Sequence, residues 1–270
     1  MPEEVDHYLY HYTTPEGLIG IVQTRRIWAT SVFYLNDMKE FRHGIELSKK
    51  CVQALHDSVT EAFFRKLLTS VLERLSERDG FHTYVCSFSG LADDLSQWRA
   101  YCPTGGFAIG FPKDMLEVAA AQQLCYFEPC IYNPKEKEVA VNGWVDYNPD
   151  ERSMRDADGI LDGLISASAT FKDQAFSAEK EWRMVYDLRH DFSMEKPEER
   201  VRFRASKGVL VPYVECSLDS TELWEAVRVT VGPTPKPEAS IASVRQLLRF
   251  CSPAKNAAAV RLTSVPYRFW

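Results

Sequence analysis

The chain has 270 residues, 45% hydrophobic and 26% charged, which suits one large domain or two small ones with a sizeable core and excludes global disorder. A net charge of −6 argues against a broad nucleic-acid-binding surface, which needs a basic patch or stripe, although a local basic groove stays open. The opening Met1 to Asp6 is acidic, with no apolar signal segment, and no apolar run approaches the about 20 residues that span a bilayer; a cytoplasmic location away from membrane is expected.

Residues 7–13 (His-Tyr-Leu-Tyr-His-Tyr-Thr) are aromatic-rich and read as a strand. Thr13-Thr14-Pro15-Glu16 then starts a helix: Thr13 and Glu16 have capping-box spacing, and Pro15 fits the first turn. Leu18, Ile21 and Val22 give this helix its apolar side, and Arg25-Arg26 closes it at the negative end of the helix dipole. Ile27 to Phe33 returns as a strand. Residues 38–78 predict two inserted helices. Phe41, Ile45, Val52 and Leu55 mark the first; Val59, Phe63, Leu67, Leu68, Val71, Leu72 and Leu75 mark the second, at a 3.6-residue period that suits core packing.

Thr83–Phe88 and Phe107–Phe111 are strand candidates, joined by a connection whose Asp93–Tyr101 portion is a short helix. Leu124–Tyr132 reads as another strand, and residues 133–151, rich in Pro, Asn and charge, as a loop excursion. A helix over Ser153 to Phe171 precedes a strand over Lys180–Leu188. Val201–Ala205 and Val209–Val214 form a hairpin around Lys207-Gly208. The strand Val227–Val231, the helix Pro237–Phe250 and the strand Val260–Val265 complete the chain. Without regular βαβ alternation, this order predicts a single α+β domain with a mixed, largely antiparallel sheet and flanking helices.

Seven cysteines at irregular spacing, with no CxxC pair, read as reduced thiols, and the six histidines do not fall into ligand spacing with them, so no metal site is expected. Gly105-Gly106-Phe107-Ala108-Ile109-Gly110 lacks Rossmann spacing and runs into a strand, so it reads as a tight turn. Neither GxSxG nor HExxH occurs.

Glu179-Lys180-Glu181-Trp182-Arg183 is the most informative segment. Alternate residues of a strand share a face, which sets Glu179, Glu181 and Arg183 on one side and Lys180, Trp182 and Met184 on the other. One carboxylate can orient a sugar hydroxyl and stabilise developing positive charge, while the other takes a proton from a nucleophile. Crowding raises one carboxylate pKa and Arg183 opposes that. The competing reading is an exposed edge strand with a salt-bridged face. His11-Tyr12-Thr13 ends a strand at a helix N-terminus, a place suited to anions such as pyrophosphate. His11 can donate to a ribose or phosphate oxygen and Tyr12 or Tyr34 can stack on a base; the alternative is a buried histidine bonded to backbone. Ser87 and Ser89 with Gln97-Trp98-Arg99-Ala100-Tyr101 combine polar and aromatic side chains on a connection, against simple packing of Trp98 and Tyr101 on the sheet. Asn36-Asp37 with Glu40 reads first as a helix cap.

Leu9-Tyr10-His11-Tyr12-Thr13-Thr14, Leu18-Ile19-Gly20-Ile21-Val22, Ile27-Trp28-Ala29-Thr30-Ser31 and Leu35-Asn36-Asp37 resemble the opening of a large bacterial domain-of-unknown-function family. Ser96-Gln97-Trp98-Arg99-Ala100-Tyr101 with Gly106–Phe111 looks like its middle. Glu179–Arg183 and Val265-Pro266-Tyr267-Arg268 look like its later part. More distantly the chain resembles the ADP-ribosyltransferases. Their first strand carries a histidine or arginine, as His11 is placed here, and their late strand carries a catalytic Glu-x-Glu, as in Glu179-Lys180-Glu181, after a recognition loop, here Asp173 to Ala178 with Phe176.

That resemblance implies a split sheet and NAD as substrate. Glu181 would hold the nicotinamide-ribose 2′-OH and stabilise an oxocarbenium-like state. Glu179 would activate the acceptor, His11 would fix the adenosine-side ribose or the diphosphate, and Arg183 would steady the carboxylates or bind phosphate. Thr30-Ser31 or Tyr34 would stand for the family's Ser-Thr-Ser motif or second-strand tyrosine; Tyr12, Thr13, Ser31, Tyr34, Asn36, Trp98 and Arg99 would complete the NAD site. The implied activity is transfer of ADP-ribose to an acceptor that is a protein, a nucleic acid or a small molecule, as in a bacterial toxin or phage-defence effector. Alternatives are an NAD glycohydrolase at the same site, which a missing or buried Glu179 would favour, a non-catalytic binding or sensor domain, and action on nucleic acid through a groove near Arg183, Arg202 and Arg204. For catalysis His11 and Glu181 must line one concave pocket; lying on opposite sides of the sheet would defeat it.

Overall fold

The computed structural model describes residues 7–35, 38–77, 82–145, 156–190, 196–206, 208–251 and 259–267. It is an α+β fold with a mostly antiparallel open sheet and flanking helices. The chain opens with strand β1 (Tyr8–Thr13), helix α1 (Pro15–Thr24) and strand β2 (Arg26–Ser31). Helices α2 (Met38–Ser58) and α3 (Ala62–Glu77) precede β3 (Thr83–Ser89), α4 (Leu95–Tyr101) and β4 (Phe107–Pro112). Then come α5 (Lys113–Ala121), β5 (Tyr126–Pro129), α6 (Pro134–Val145), α7 (Ala157–Thr170) and β6 (Glu181–Asp187). The hairpin β7 (Arg202–Ser206) and β8 (Val209–Ser217), then α8 (Thr221–Ala226), β9 (Arg228–Val231), α9 (Pro237–Cys251) and β10 (Ala259–Leu262) close it.

β3 organises the sheet. A strand has two edges, and β6 pairs with β3 along its whole length, from Thr83↔Asp187 to Ser89↔Glu181. The other edge is shared. β1 meets it at Tyr10↔Ser89, and β2 meets it at Thr30↔Val85 and Ser31↔Tyr84. Both run antiparallel to β3, so β1 leaves this edge before β2 joins it, and the sheet splits over Cys86–Phe88. On one side of the split lies the ladder β1–β4–β9–β10, on the other β2–β8–β7. α1 connects the two.

The strand alternation distributes the core. Tyr84, Cys86, Phe88, Met184 and Tyr186 face one apolar cluster with Ile27, Ala29 and Ile109, while Val85 and Val185 face a second cluster built with α2, α3, α6 and α7. In α3 the buried set is Phe64, Leu68, Val71 and Leu75, spaced four, three and four apart as one helix face demands. Phe63, which the sequence reading put on that face, is one residue out of phase and 61% exposed.

Three other expectations change. The cap of α1 is Thr14, whose hydroxyl accepts from the Gly17 amide at 3.2 Å; Thr13 still belongs to β1. Arg25 ends this helix in the left-handed region (φ 53°) with its amide donating to the Ile21 carbonyl at 2.8 Å, and Arg26 begins β2. Residues 134–145, read as loop, form α6. Composition suggested no helix there, but Val141 and Val145 fall four apart on its buried face and Trp144 packs over Gly163, where a Cβ would meet the indole at 2.1 Å. Tertiary packing, not propensity, sustains this helix.

The segment after β10 is tied back to α4 through Asp93. Its carboxylate accepts from Trp98 Nε1 at 2.8 Å, from the Ser264 amide at 2.6 Å and hydroxyl at 2.8 Å, and from the Thr263 hydroxyl. Burial alone would raise the Asp93 pKa, but these donors hold it below the ordinary value of 3.8. Asp93→Ala is expected to lower stability by about 2 kcal/mol in urea denaturation, since several donors then lose a charged acceptor. Because the folded-state pKa is depressed, that contribution is present above pH 3.8 and fades as the pH falls through the lowered value.

Candidate functional site

The split in the sheet holds a cavity of about 480 Å³. Its walls come from the end of β1, one side of α1 along its length (Glu16 to Thr24), β2 (Arg26, Trp28, Thr30) and β3 (Val85 to Ser89). Tyr34, Gln97, Tyr101, Glu181, Arg204 and Glu215 complete it. Its size falls within the range of small-molecule sites.

Ser87 joins the two halves of the site. Its hydroxyl donates to Glu181 Oε1 at 2.7 Å, and its carbonyl accepts from His11 Nδ1 at 3.0 Å. Because a carbonyl only accepts, Nδ1 carries the proton, and the neutral ring keeps Nε2 as an acceptor. Burial lowers the His11 pKa; the bond to Ser87 works against it and the positive charge of Arg204 adds to it. By pleat, Glu181 faces the helical layer with Arg183 and Val185, while His11 lies beside Cys86 and Phe88 on the opposite side (ring centroids of His11 and Phe88 5.9 Å apart). The split removes the intervening ladder, so both side chains line one cavity.

Glu181 is 5% exposed and lies between cations. Arg183 Nε donates to Oε1 at 2.7 Å, Lys172 Nζ donates to Oε2, and the Glu181 amide donates to the Tyr132 hydroxyl at 2.9 Å. Lys172 also holds Glu179 at 2.6 Å, which makes a compact group of two carboxylates and two cations. Burial raises the Glu181 pKa, and Lys172 and Ser87 oppose that. The ionised form is the one its neighbours serve, since every side chain touching the carboxylate is a donor. Burial would lower the Lys172 pKa, but the two glutamates outweigh it and raise it above 10.5. Burial takes Arg183 down to about 10, which leaves it a cation at neutral pH. Burial and the nearby Glu181 push the Tyr101 phenol up to about 12, so it remains a donor.

Of the residues singled out in the sequence, His11, Tyr12, Thr13, Tyr34 and Glu181 line the cavity; Ser31, Trp98, Arg99, Glu179 and Arg183 are not among its lining residues. Asn36 lies outside the described residues. Tyr12 is committed elsewhere: its hydroxyl donates to the Leu91 carbonyl at 2.8 Å and accepts from the Asp94 amide at 3.0 Å, and its ring meets Trp98 edge-on at 4.6 Å. Trp98 is fully buried, and Arg99 covers the Tyr267 ring. Arg183, 2% exposed, turns inward to the Ala169 carbonyl at 2.7 Å, so it cannot contribute to a basic groove. β6 lies between β3 and β5, which excludes the exposed-edge reading of Glu181 and Arg183. Glu179 precedes β6, at the end of a 3₁₀ turn (Gln174–Glu179) that covers most of the stretch read as a recognition loop, Asp173 to Ala178. Ser87 lies in β3 as the strand candidate Thr83–Phe88 placed it, and Ser89 ends the same strand rather than starting the connection. Sequence reasoning gave Lys172 and Trp28 no role in the site and Arg204 only one in a nucleic-acid groove; Lys172 meets Glu179 and Glu181 close by in the chain, while Arg204 meets Thr30 and Trp28 from far along it.

Lys172→Met is expected to cost about 3 kcal/mol in urea denaturation, because it strands two carboxylates with one buried guanidinium. Adding Glu181→Gln should recover part of that loss, the signature of direct coupling. The lowered His11 pKa sets a second dependence. The unfolded chain takes up a proton near pH 6.5 where the folded chain does not, so stability should decline as the pH falls below 6.5 and decline less in His11→Gln.

No curated protein and no solved structure matches the chain. Residues 97–184, which run from α4 into β6 and include Tyr101, Lys172, Glu179, Glu181 and Arg183, match the family described as a protein of unknown function (DUF2971), so over that stretch the chain carries a domain of unknown function.

Proposed function

We propose that the cavity binds NAD as a substrate and that Glu181 promotes cleavage of its nicotinamide–ribose bond. The observation that carries this reading is the anchoring of Glu181 and His11 on one residue, Ser87, at the wall of a single cavity. An ionised carboxylate offers about four acceptor positions. Ser87 and Arg183 occupy Oε1 and Lys172 occupies one position on Oε2, which leaves Oε2 able to accept from a ribose 2′-OH. When the C1′–N1 bond breaks, its electron pair leaves with nicotinamide and the sugar becomes an oxocarbenium ion. The carboxylate stabilises that developing charge, and an acceptor then bonds to C1′ and releases a proton. His11 Nε2, an acceptor, suits a ribose hydroxyl rather than a diphosphate oxygen.

The position of Glu179 favours water as the final acceptor. Its carboxylate is held by Lys172 and is not among the residues lining the cavity, so it is not placed to activate a larger nucleophile there; of the two other glutamates that line it, Glu215 is paired with Arg26 and Glu16 is exposed. On this reading NAD glycohydrolysis precedes ADP-ribosyl transfer in rank, and both use the same Glu181 step.

Nicotinamide release from NAD, with free and transferred ADP-ribose followed separately and cell lysate supplied as acceptor, tests both. Glu181→Gln should lower release by about 100-fold or more. Glu179→Gln should leave release intact if water is the acceptor and lower it if transfer dominates. An unaltered protein that neither binds nor turns over NAD would sink the enzyme reading in favour of a binding domain.

A further inference from the structure

The charges of the cavity do not balance at its β2–β7 end. Three carboxylates and two arginines line it. Glu181 is neutralised by Lys172 and Arg183, and Arg26 is paired with Glu215 at 2.8 Å. Glu16 lies on the solvent rim. That leaves Arg204, for which no carboxylate lies within ion-pair distance among the described residues. Its Nη2 donates to the Thr30 hydroxyl at 3.0 Å, which fixes the direction of the fork. Its Nε is buried without any partner. A desolvated guanidinium N–H with nothing to donate to costs free energy unless a ligand supplies the acceptor.

The surroundings say what kind of acceptor. Arg204 lies over the Trp28 ring, 5.6 Å from its centroid, and Trp28 is itself stacked on Tyr213 with centroids 4.3 Å apart. Trp28 lines the cavity and is 40% exposed, so part of its apolar aromatic surface is open beside the cation. Arg204 is also near enough to His11 to lower its pKa. A planar fork with a free N–H, an open indole and an acceptor nitrogen within one cavity match three parts of one ligand: a phosphate, a flat ring and a sugar hydroxyl.

We infer that Arg204 and Trp28 form the phosphate-binding end of this cavity, and that its ligand is a nucleoside diphosphate held through its phosphates by Arg204. The assignment rests on the nucleotide reading given above and sharpens it: the diphosphate goes to β7, and His11 is left to the sugar.

Calorimetric titration of the full chain with adenosine, ADP and inorganic phosphate tests it. ADP should bind at least tenfold more tightly than adenosine. Arg204→Gln should bring ADP down to the adenosine level and leave adenosine unchanged, which also shows that the variant is folded. Arg204→Lys should retain only part of the preference, since an ammonium keeps the charge but loses the fork. An ADP preference that survives Arg204→Gln would overturn the assignment. So would inorganic phosphate binding as tightly as ADP, because the aromatic wall would then contribute nothing. Nicotinamide release measured alongside separates the two readings. ADP preference without release removes NAD cleavage and leaves the phosphate site; release with an unchanged KM in Arg204→Gln removes the phosphate site and leaves NAD cleavage.

Discussion

A β-strand has two edges, and in this protein three strands compete for those of β3. β6 takes one edge completely, so β1 and β2 divide the other, and neither covers Cys86 to Phe88. Everything distinctive about the molecule follows from that shortage. The ladders carried by β1 and β2 diverge, α1 spans the gap, and the gap becomes a cavity with backbone and side chains of β3 along one wall. Ser87, in the middle of the uncovered stretch, is free to turn its carbonyl to His11 and its hydroxyl to Glu181. In an unbroken sheet a ladder would separate these two residues, since the pleat assigns them to opposite faces.

The second constraint is electrostatic. A carboxylate as buried as Glu181 is tolerated only when donors replace the water it has lost. Lys172, Arg183 and Ser87 do so, and Glu179 completes a group with no net charge. Such a group contributes modestly to stability, because desolvation offsets most of the attraction, but it fixes the direction of the carboxylate. The result is an acceptor held ready at the wall of a cavity. The cavity's other end is arranged differently: Arg204 is desolvated beside Trp28 with one N–H unsatisfied.

Much of this was legible in the chain. The aromatic alternation of residues 8–13, the periodic stripe of α3, the Gly208 turn and the run 181–187 each reflect a local rule, and each element formed where that rule placed it. The failures share a cause. α6 has weak local preference and exists because Trp144, Val141 and Val145 find partners on α7 and the sheet. Phe63 and Phe64 are chemically alike, and only the phase of α3 decides which is buried. Tyr12 lines the cavity, but its hydroxyl and ring are held by the loop after β3 and by Trp98, contacts between elements that no local pattern shows.

The sequence by itself determined the fold class, the order of elements and the chemistry on offer, because strand and helix periodicity are properties of neighbouring residues. Only the tertiary structure decided which of those residues work together. Ser87 meets His11 across 76 positions, and Arg204 meets Thr30 across 174, by strand register and the split along β3. No local pattern encodes those meetings, since they arise from competition among distant strands for the edges of one.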